Sequence, residues 1–217
     1  MRAGAQRQRG DRHQHRHRPG REAGDGVLGR PHPPASARPR SRAQAPAQEV
    51  IGEERPDDIA AIAALNRAAF GGEEEVEIID RLRRDGLVAL SLVGRDADAI
   101  IGHILFSDLD VTVDRRRIRA VTLAPMAVVP DRQSAGIGSR LVRLGLALLT
   151  ERGYEAVIVL GHPGYYPRFG FSAALAAKLA APFSGAAFMA LELKPGALAG
   201  TSGAVRYPRA FRIEDPA

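Results

Sequence analysis

Residues 130–142, PDRQSAGIGSRLV, place Gln133, Gly136 and Gly138 between an apolar run and the start of a helical pattern. Glycines in that position bring bare backbone N–H groups and the positive end of a helix dipole to one spot, which suits an anion such as a phosphate. Two common nucleotide cradles fail on named residues. A P-loop needs Gly-Lys-Ser/Thr, which this stretch lacks. A dinucleotide fingerprint needs a third glycine where Leu141 stands, and no acidic residue follows a second strand at the usual distance. The same glycines would also serve tight packing at a strand–helix turn. A second stretch of interest is the turn-rich connection HPGYYPRFGF, residues 162–171, with adjacent Tyr165 and Tyr166 and with His162, side-chain types that can hand on protons.

The elements that must position these residues are read from periodicity. A short strand covers 49–51. Asp57, after Pro56, is expected to cap a helix carrying Ile59, Ile62, Leu65 and Ala69 on one face. A second, acidic helix runs from 73 to 84 with Val76, Ile79 and Leu82 inward. Three strands follow at 87–95, 99–113 and 118–129, the first ended by the turn residues Asp96, Ala97 and Asp98; their near-continuous apolar runs predict a sheet covered on both faces. Ile137, Leu141, Leu144 and Leu148 form the inward stripe of the next helix, with Gly153 as its stop. A buried strand at 154–161, a turn-rich connection with a short helix, and a strand at 187–194 complete the order. No repeat and no second core is visible.

Composition narrows the function classes. The 217 residues include no cysteine, which excludes disulfides, thiolate metal sites and a cysteine nucleophile. No apolar run approaches the ~20 residues of a membrane span, and the N-terminus lacks the apolar core of about 7–15 residues of a secretory signal. The expected location is the cytoplasm. The net charge of +6 is unevenly placed. Residues 1–46 hold 11 arginines against Asp11, Glu22 and Asp25; of 31 basic and 25 acidic residues, 20 and 22 remain, so the rest is slightly acidic and has no nucleic-acid footprint. Residues 1–47 are expected to be a disordered Arg/Pro/Gly/His-rich tail, since their only large apolar residues are Met1, Val27 and Leu28. His13-Gln14-His15-Arg16-His17 is a compositional match to metal or nucleic-acid tracts. With two lysines against 29 arginines, the tail also reads as translated upstream sequence of a GC-rich genome, with Val50 as the true start.

MAVVPDRQSAGIGSRLV resembles the acetyl-CoA-binding signature of the GNAT N-acetyltransferase superfamily, Gln/Arg-x-x-Gly-x-Gly/Ala after a strand and before a long helix, and Gln133, Gly136 and Gly138 fill it. YYPRFGF resembles the family's Tyr-x-x-x-Gly-Phe, with Tyr166 ahead of Gly170 and Phe171. GHILFS, LAPMAVVP, VLGHPGYYPRFGF and FMALEL look like the YhbS-type bacterial branch. The resemblance spans residues 48–213. It implies an α/β (α+β) class and the GNAT acyl-CoA N-acyltransferase fold, a mixed, mostly antiparallel central sheet with splayed strands and helices on both faces.

The resemblance also implies roles. Met126, Ala127 and Val128 would form the strand edge that pairs with the pantetheine arm of acetyl-CoA. The amides of Ser134, Ala135, Gly136, Ile137, Gly138 and Ser139 would seat its pyrophosphate, and Arg132 and Arg140 lie within reach as phosphate partners or as solvated surface residues. Val128 N–H would stabilise the oxyanion. Tyr166, with an ordinary phenol pKa near ~10, would be the acid toward a thiolate whose thiol titrates near ~8.5. Tyr165 would pack or shape the acceptor site. The base is open, because neither LAPMAVV nor AVIVLG holds a carboxylate; a water chain would serve, or His162. His103 reads as a satisfied sheet histidine. Glu73-Glu74-Glu75 reads as a solvated helix start, which would also frame an entrance for a cationic amine. The expected function is transfer of acetyl from acetyl-CoA to a primary amine of a small molecule or peptide, without a metal; the alternative is a non-catalytic acyl-CoA-binding module. No membrane partner is expected, nucleic acid would engage only the tail, and a homodimer is compatible with the family.

Overall fold

The structure, a computed structural model, describes residues 49–213; the expectations for residues 1–47 lie outside the described residues. The elements are β1 (Val50–Glu53), α1 (Ile59–Phe70), α2 (Glu74–Arg84), β2 (Val88–Asp96), β3 (Ala99–Val113), β4 (Arg116–Val128), α3 (Ile137–Glu151), β5 (Ala156–Leu160), α4 (Ala173–Ala176), β6 (Leu179–Ala180), β7 (Phe188–Glu192) and β8 (Gly203–Arg206). Among the described residues no helix is long and apolar enough to cross a membrane.

One sheet runs in the order β1-β2-β3-β4-β5-β7, with β8 joining the far half of β3 and β6 beside it. Its neighbours are antiparallel except β4–β5 and β6–β8. Period-two alternation sorts its side chains onto two faces. Leu92, Ile104 and Phe106 pack with Ile137, Leu141 and Leu149 of α3. Val93 and Leu105 point the other way, onto Ile62 of α1 and Ile79 and Leu82 of α2. A third cluster, around Leu109, Val111, Ile158 and Val205, fills the end beneath β6–β8. The fold is therefore a mixed α/β sheet with helices on both faces.

Several local expectations shift. α1 starts after a 3-10 turn at Pro56–Asp58, so Asp57 is inside the turn, and Asp58 accepts from the backbone N–H of Arg55 and pairs with Arg95. Ile59 is exposed and Asn66 takes the inward place beside Ile62 and Leu65. On α3 the buried stripe is Ile137, Leu141, Val142, Gly145 and Leu149, while Leu144 and Leu148 sit at its margin, because the face that meets the sheet is centred further round the helix, toward Gly145, than the expected row. β6, β8 and α4, of two to four residues each, carry too little periodicity to be read in advance.

His103 lies fully buried in β3. Its Nδ1 is 3.3 Å from Asn66 Nδ2 and its Nε2 is 3.0 Å from Ser91 Oγ. One proton arrangement satisfies the row: the Asn66 amide donates to Nδ1, Nε2–H donates to Ser91, and the Ser91 hydroxyl donates to Glu54, which Arg83 holds at 2.8 Å. Burial, reinforced by Arg83, pushes the imidazole down to about 4, although Glu54 pulls the other way. The folded value lies below the unfolded ~6.5, so the unfolded chain binds the extra proton. Stability from the neutral ring is present above pH ~6.5 and is lost as pH falls toward about 4. Urea unfolding at pH 7 and pH 5 should therefore lose up to ~1.4 kcal/mol per pH unit through this group, and His103→Gln should be less stable at pH 7 yet lack that slope. Equal slopes in the two proteins would contradict the assignment.

Candidate active site

β4 and β5 pair at three steps only, Ala120–Ala156, Val121–Val157 and Thr122–Ile158. Beyond them β5 stays with β7 as far as Leu160, and β4 stays with β3 as far as Val128. A wedge opens between the two strands. It starts at a bulge, where Ile104 faces Met126 and Phe106 faces Leu123, so that Ala124 and Pro125 together oppose Leu105. An extra residue bends the strand that carries it, and Pro125 has no N–H to offer a neighbour. Past the bulge, Val129 N–H donates to Ile101 C=O at 3.0 Å. Antiparallel alternation then turns the polar backbone of Ala127 toward β3 and that of Met126 and Val128 toward the wedge.

At the end of β4 the chain makes a 3-10 turn at Pro130–Arg132, passes through Ser134 at φ 64° and Gly136 at φ 85°, and enters α3. Arg140 N–H bonds to Gly136 C=O at 3.1 Å. The N–H groups of Ile137, Gly138 and Ser139 precede that first bond and have no acceptor within the helix. A β-carbon on Gly138 would lie 3.0 Å from Tyr165 Oη and 3.5 Å from Met126 Sδ, so a side chain here would crowd the passage. The resulting cavity, about 480 Å³, is lined by Met126 and Val128, by Gln133, Ser134 and Gly136–Ser139, and by Arg132, Tyr165 and Arg168. Gln133 Nε2 donates to Val128 C=O at 3.3 Å and ties the cradle to the strand edge.

Tyr165 and Tyr166 open a 3-10 turn, and both amides bond to His162 C=O. Their rings meet edge to face with centroids 5.1 Å apart, so the two hydroxyls part. Tyr165 Oη lies 3.4 Å from Ser139 Oγ, on the cradle side. Tyr166 is 8 % exposed and fits against Gly161, where a β-carbon would meet the ring at 2.1 Å. Its phenol lines a second cavity with Met126, Gly161 and His162, and a third, of about 290 Å³, with Glu75, Pro125 and Leu160. Burial, with Tyr165 adding, pushes the Tyr166 phenol up to about 12, above the ordinary ~10. Met126 lines all three cavities. The three cavities therefore adjoin at Met126, the second and third of them beside Tyr166.

A family model described as "Acetyltransferase (GNAT) domain" matches residues 51–174. The chain belongs to the GNAT family. It is 37% identical over 165 residues to the uncharacterized N-acetyltransferase YhbS of Escherichia coli K12, a match spanning 75% of this chain and 98% of that protein. Among solved structures it resembles YhbS from Escherichia coli in complex with CoA, with a TM-score of 0.71 and 35% identity over 79% of this chain and 96% of the other. A GNAT family acetyltransferase from Brucella melitensis in complex with acetyl-CoA follows, with a TM-score of 0.63 and 35% identity over 76% and 99%.

Within this GNAT domain, Met126, Val128, Gln133, Ser134, Gly136, Ile137, Gly138 and Ser139 share the first cavity, whereas Ala127 and Ala135 do not line it. Ala127 spends its backbone groups on β3. Tyr165, expected to pack or to shape the acceptor site, packs on Tyr166 and Phe169 and lines both the cradle and the second cavity. His162 is exposed, and its Nδ1 accepts from Gly164 N–H at 3.0 Å. That bond puts the neutral ring's proton on Nε2 and leaves no free lone pair for base duty. Arg132 pairs with Asp96 at 3.0 Å and Arg140 pairs with Glu49. The cradle's unforeseen cation is Arg168, which bonds to Tyr165 C=O at 2.9 Å and lies over its ring at 4.4 Å. Glu75, read from sequence as one of a solvated run, lines the same cavity as Tyr166. Among the described residues no group of three His, Cys, Asp or Glu is placed to hold a metal.

Proposed function

We propose that this chain is an acetyl-CoA-dependent N-acetyltransferase that transfers acetyl directly to a primary amine, with the acetyltransferase domain at residues 48–213. One observation carries the reading: a single cavity joins the free N–H groups at the start of α3 to the Met126–Val128 edge, and two cavities lined by Tyr166 adjoin it at Met126. The pyrophosphate sits on the amides of Ile137, Gly138 and Ser139, where the helix dipole favours it, and Arg168 adds charge. The pantetheine arm pairs with the backbone of Met126 and Val128 like an added strand. The two relatives that hold CoA and acetyl-CoA support an acyl-CoA as the ligand.

In the reaction the amine nitrogen attacks the thioester carbonyl carbon, and its electron pair pushes charge onto the oxygen. Val128 N–H, directed into the wedge, donates to that oxygen. The carbonyl re-forms, the C–S bond breaks, and the amide and the thiol of CoA leave. Tyr166 donates its O–H to the departing sulfur. With the phenol held at about 12, full transfer to a thiolate whose thiol titrates near ~8.5 is uphill, so Tyr166 acts chiefly as a hydrogen-bond donor whose bond strengthens as charge builds. The proton lost by nitrogen completes the thiol through water at the wedge mouth, since neither splayed strand bears a carboxylate and His162 is committed to Gly164.

The missing strand carboxylate also favours a second reading, an acyl-CoA-binding module without turnover. Thiol release from acetyl-CoA, followed across a panel of amines and in their absence, separates the two. The acetyltransferase reading predicts release that requires an amine; tight acetyl-CoA binding with release no faster than without amine would support the binding module.

A further inference from the structure

We infer, resting on the acetyltransferase reading above, that the acceptor is a small primary amine on an apolar, ring-sized body, with its ammonium seated on Glu75. The cavity on the α1–α2 side of Tyr166 has walls of Phe70, Ile78, Leu123, Pro125, Leu160 and Phe211, and Glu75 is the one charged residue in its lining. Of the acids beside it, Glu73 pairs with Arg67, Glu77 pairs with Arg81 at 3.1 Å and Arg212 at 3.3 Å, and Glu74 is exposed and does not line the cavity. Among the described residues no cation pairs with Glu75, which is half-buried at the cavity. An unpaired carboxylate against apolar walls is a seat for a ligand cation, and an ammonium supplies the donors it lacks.

The walls decide what the rest of the acceptor is. Phe70 and Leu160 are two of the four large hydrophobic residues left exposed among the described residues, each at 46%. Both line this cavity, so a ligand that covers them removes apolar surface from water. A polyamine would bring several charges to one carboxylate. A sugar or peptide would bring hydroxyls and amides to walls that return almost no hydrogen bonds, and unpaired polar groups are rejected strongly in such sites. The cavity, about 290 Å³, lies at the lower end of the ~300–1,000 Å³ range of ligand pockets. It therefore suits a body of one ring. Tyr166 stands at its inner wall, on the side of the thioester, and the ammonium gives one proton to Glu75 or to water before the neutral nitrogen attacks.

The test compares phenethylamine and hexylamine with spermidine, lysine and glucosamine, using the full chain at saturating acetyl-CoA and reading thiol release. The apolar amines should have kcat/KM at least about tenfold above the hydrophilic set. Glu75→Gln should raise KM for phenethylamine about tenfold or more, the loss of one charge-assisted contact, while KM for acetyl-CoA stays put. Leu160→Arg, at a half-exposed site that tolerates substitution, should raise the same KM by placing a cation at the mouth. If a hydrophilic amine is preferred while acetyl-CoA is consumed, the inference is overturned and the acetyltransferase reading stands. If calorimetry shows no acetyl-CoA binding, or if it shows binding and no amine of either set releases thiol, the acetyltransferase reading falls and the inference falls with it.

Discussion

Tyr166→Phe should lower kcat by about 10²–10³-fold, the usual cost of removing one hydrogen-bond donor to charge that develops in the transition state, and leave acetyl-CoA affinity nearly unchanged. The ring is held by Gly161 on one side and by Phe171 and Tyr165 edge to face, and phenylalanine keeps all of those contacts. No hydrogen bond to its hydroxyl is made among the described residues, so the substitution leaves no partner stranded, and the fold should survive. The pH profile adds a second reading. Because burial lifts the phenol to about 12, the protonated donor persists to higher pH than a free phenol would, and the wild-type rate should show no alkaline fall near pH ~10 from this group. Tyr165→Phe should act differently, weakening CoA binding modestly through the lost contact to Ser139 with kcat little changed. A Tyr166→Phe protein with normal kcat, under conditions where chemistry is rate-limiting, would reduce Tyr166 to a packing residue.

Gly138→Val should cost roughly 100-fold in CoA affinity. The added side chain starts 3.0 Å from Tyr165 Oη and 3.5 Å from Met126 Sδ, in the passage where the phosphates would approach the helix amides. Two charge-assisted hydrogen bonds, at about 1.5–3 kcal/mol each, are the interactions at stake, and ~3 kcal/mol converts to about a hundredfold. Backbone strain does not confuse the result, because Gly138 lies inside α3 with helical geometry, where valine is no worse than glycine. Gly136 is less clean, since its φ of 85° would strain any side chain. Calorimetric titration of CoA, paired with a denaturation curve, checks the prediction. Unchanged affinity in a folded Gly138→Val protein would remove the pyrophosphate from this cradle.

How much of this was legible depends on how local each signal is. The cradle was, because Gln133, Gly136 and Gly138 sit within one turn of chain and the helix that follows carries its own apolar stripe. The bulged strand was legible as a strand, since 118–129 is a continuous apolar run, but not as a strand whose amides alternate between β3 and the wedge. That depends on register, which set Ala127 apart from Met126 and Val128. Tyr165 and Tyr166 share the cavity beside His162, yet only Tyr165 lines the cradle and only Tyr166 the α1–α2 side, a matter of tertiary contact between edge-to-face rings. Glu75 looked like one acid in a run of three; only the packing of α1 and α2 against β4 and the 3-10 turn at Arg209–Phe211 separates it from Glu73 and Glu74. β8, four residues long, is a strand only because β3 is long enough to offer it an edge.

The central claim is direct transfer of acetyl from the wedge to an amine, and a single-turnover experiment with isotopically labelled acetyl-CoA tests it most directly. With enzyme in excess over acetyl-CoA and an amine present, mass spectrometry should find the label in an amide of that amine, formed as fast as thiol appears and in equal amount, with none retained on the protein. Label recovered as free acetate, or left in intact acetyl-CoA bound to a folded protein, would contradict it.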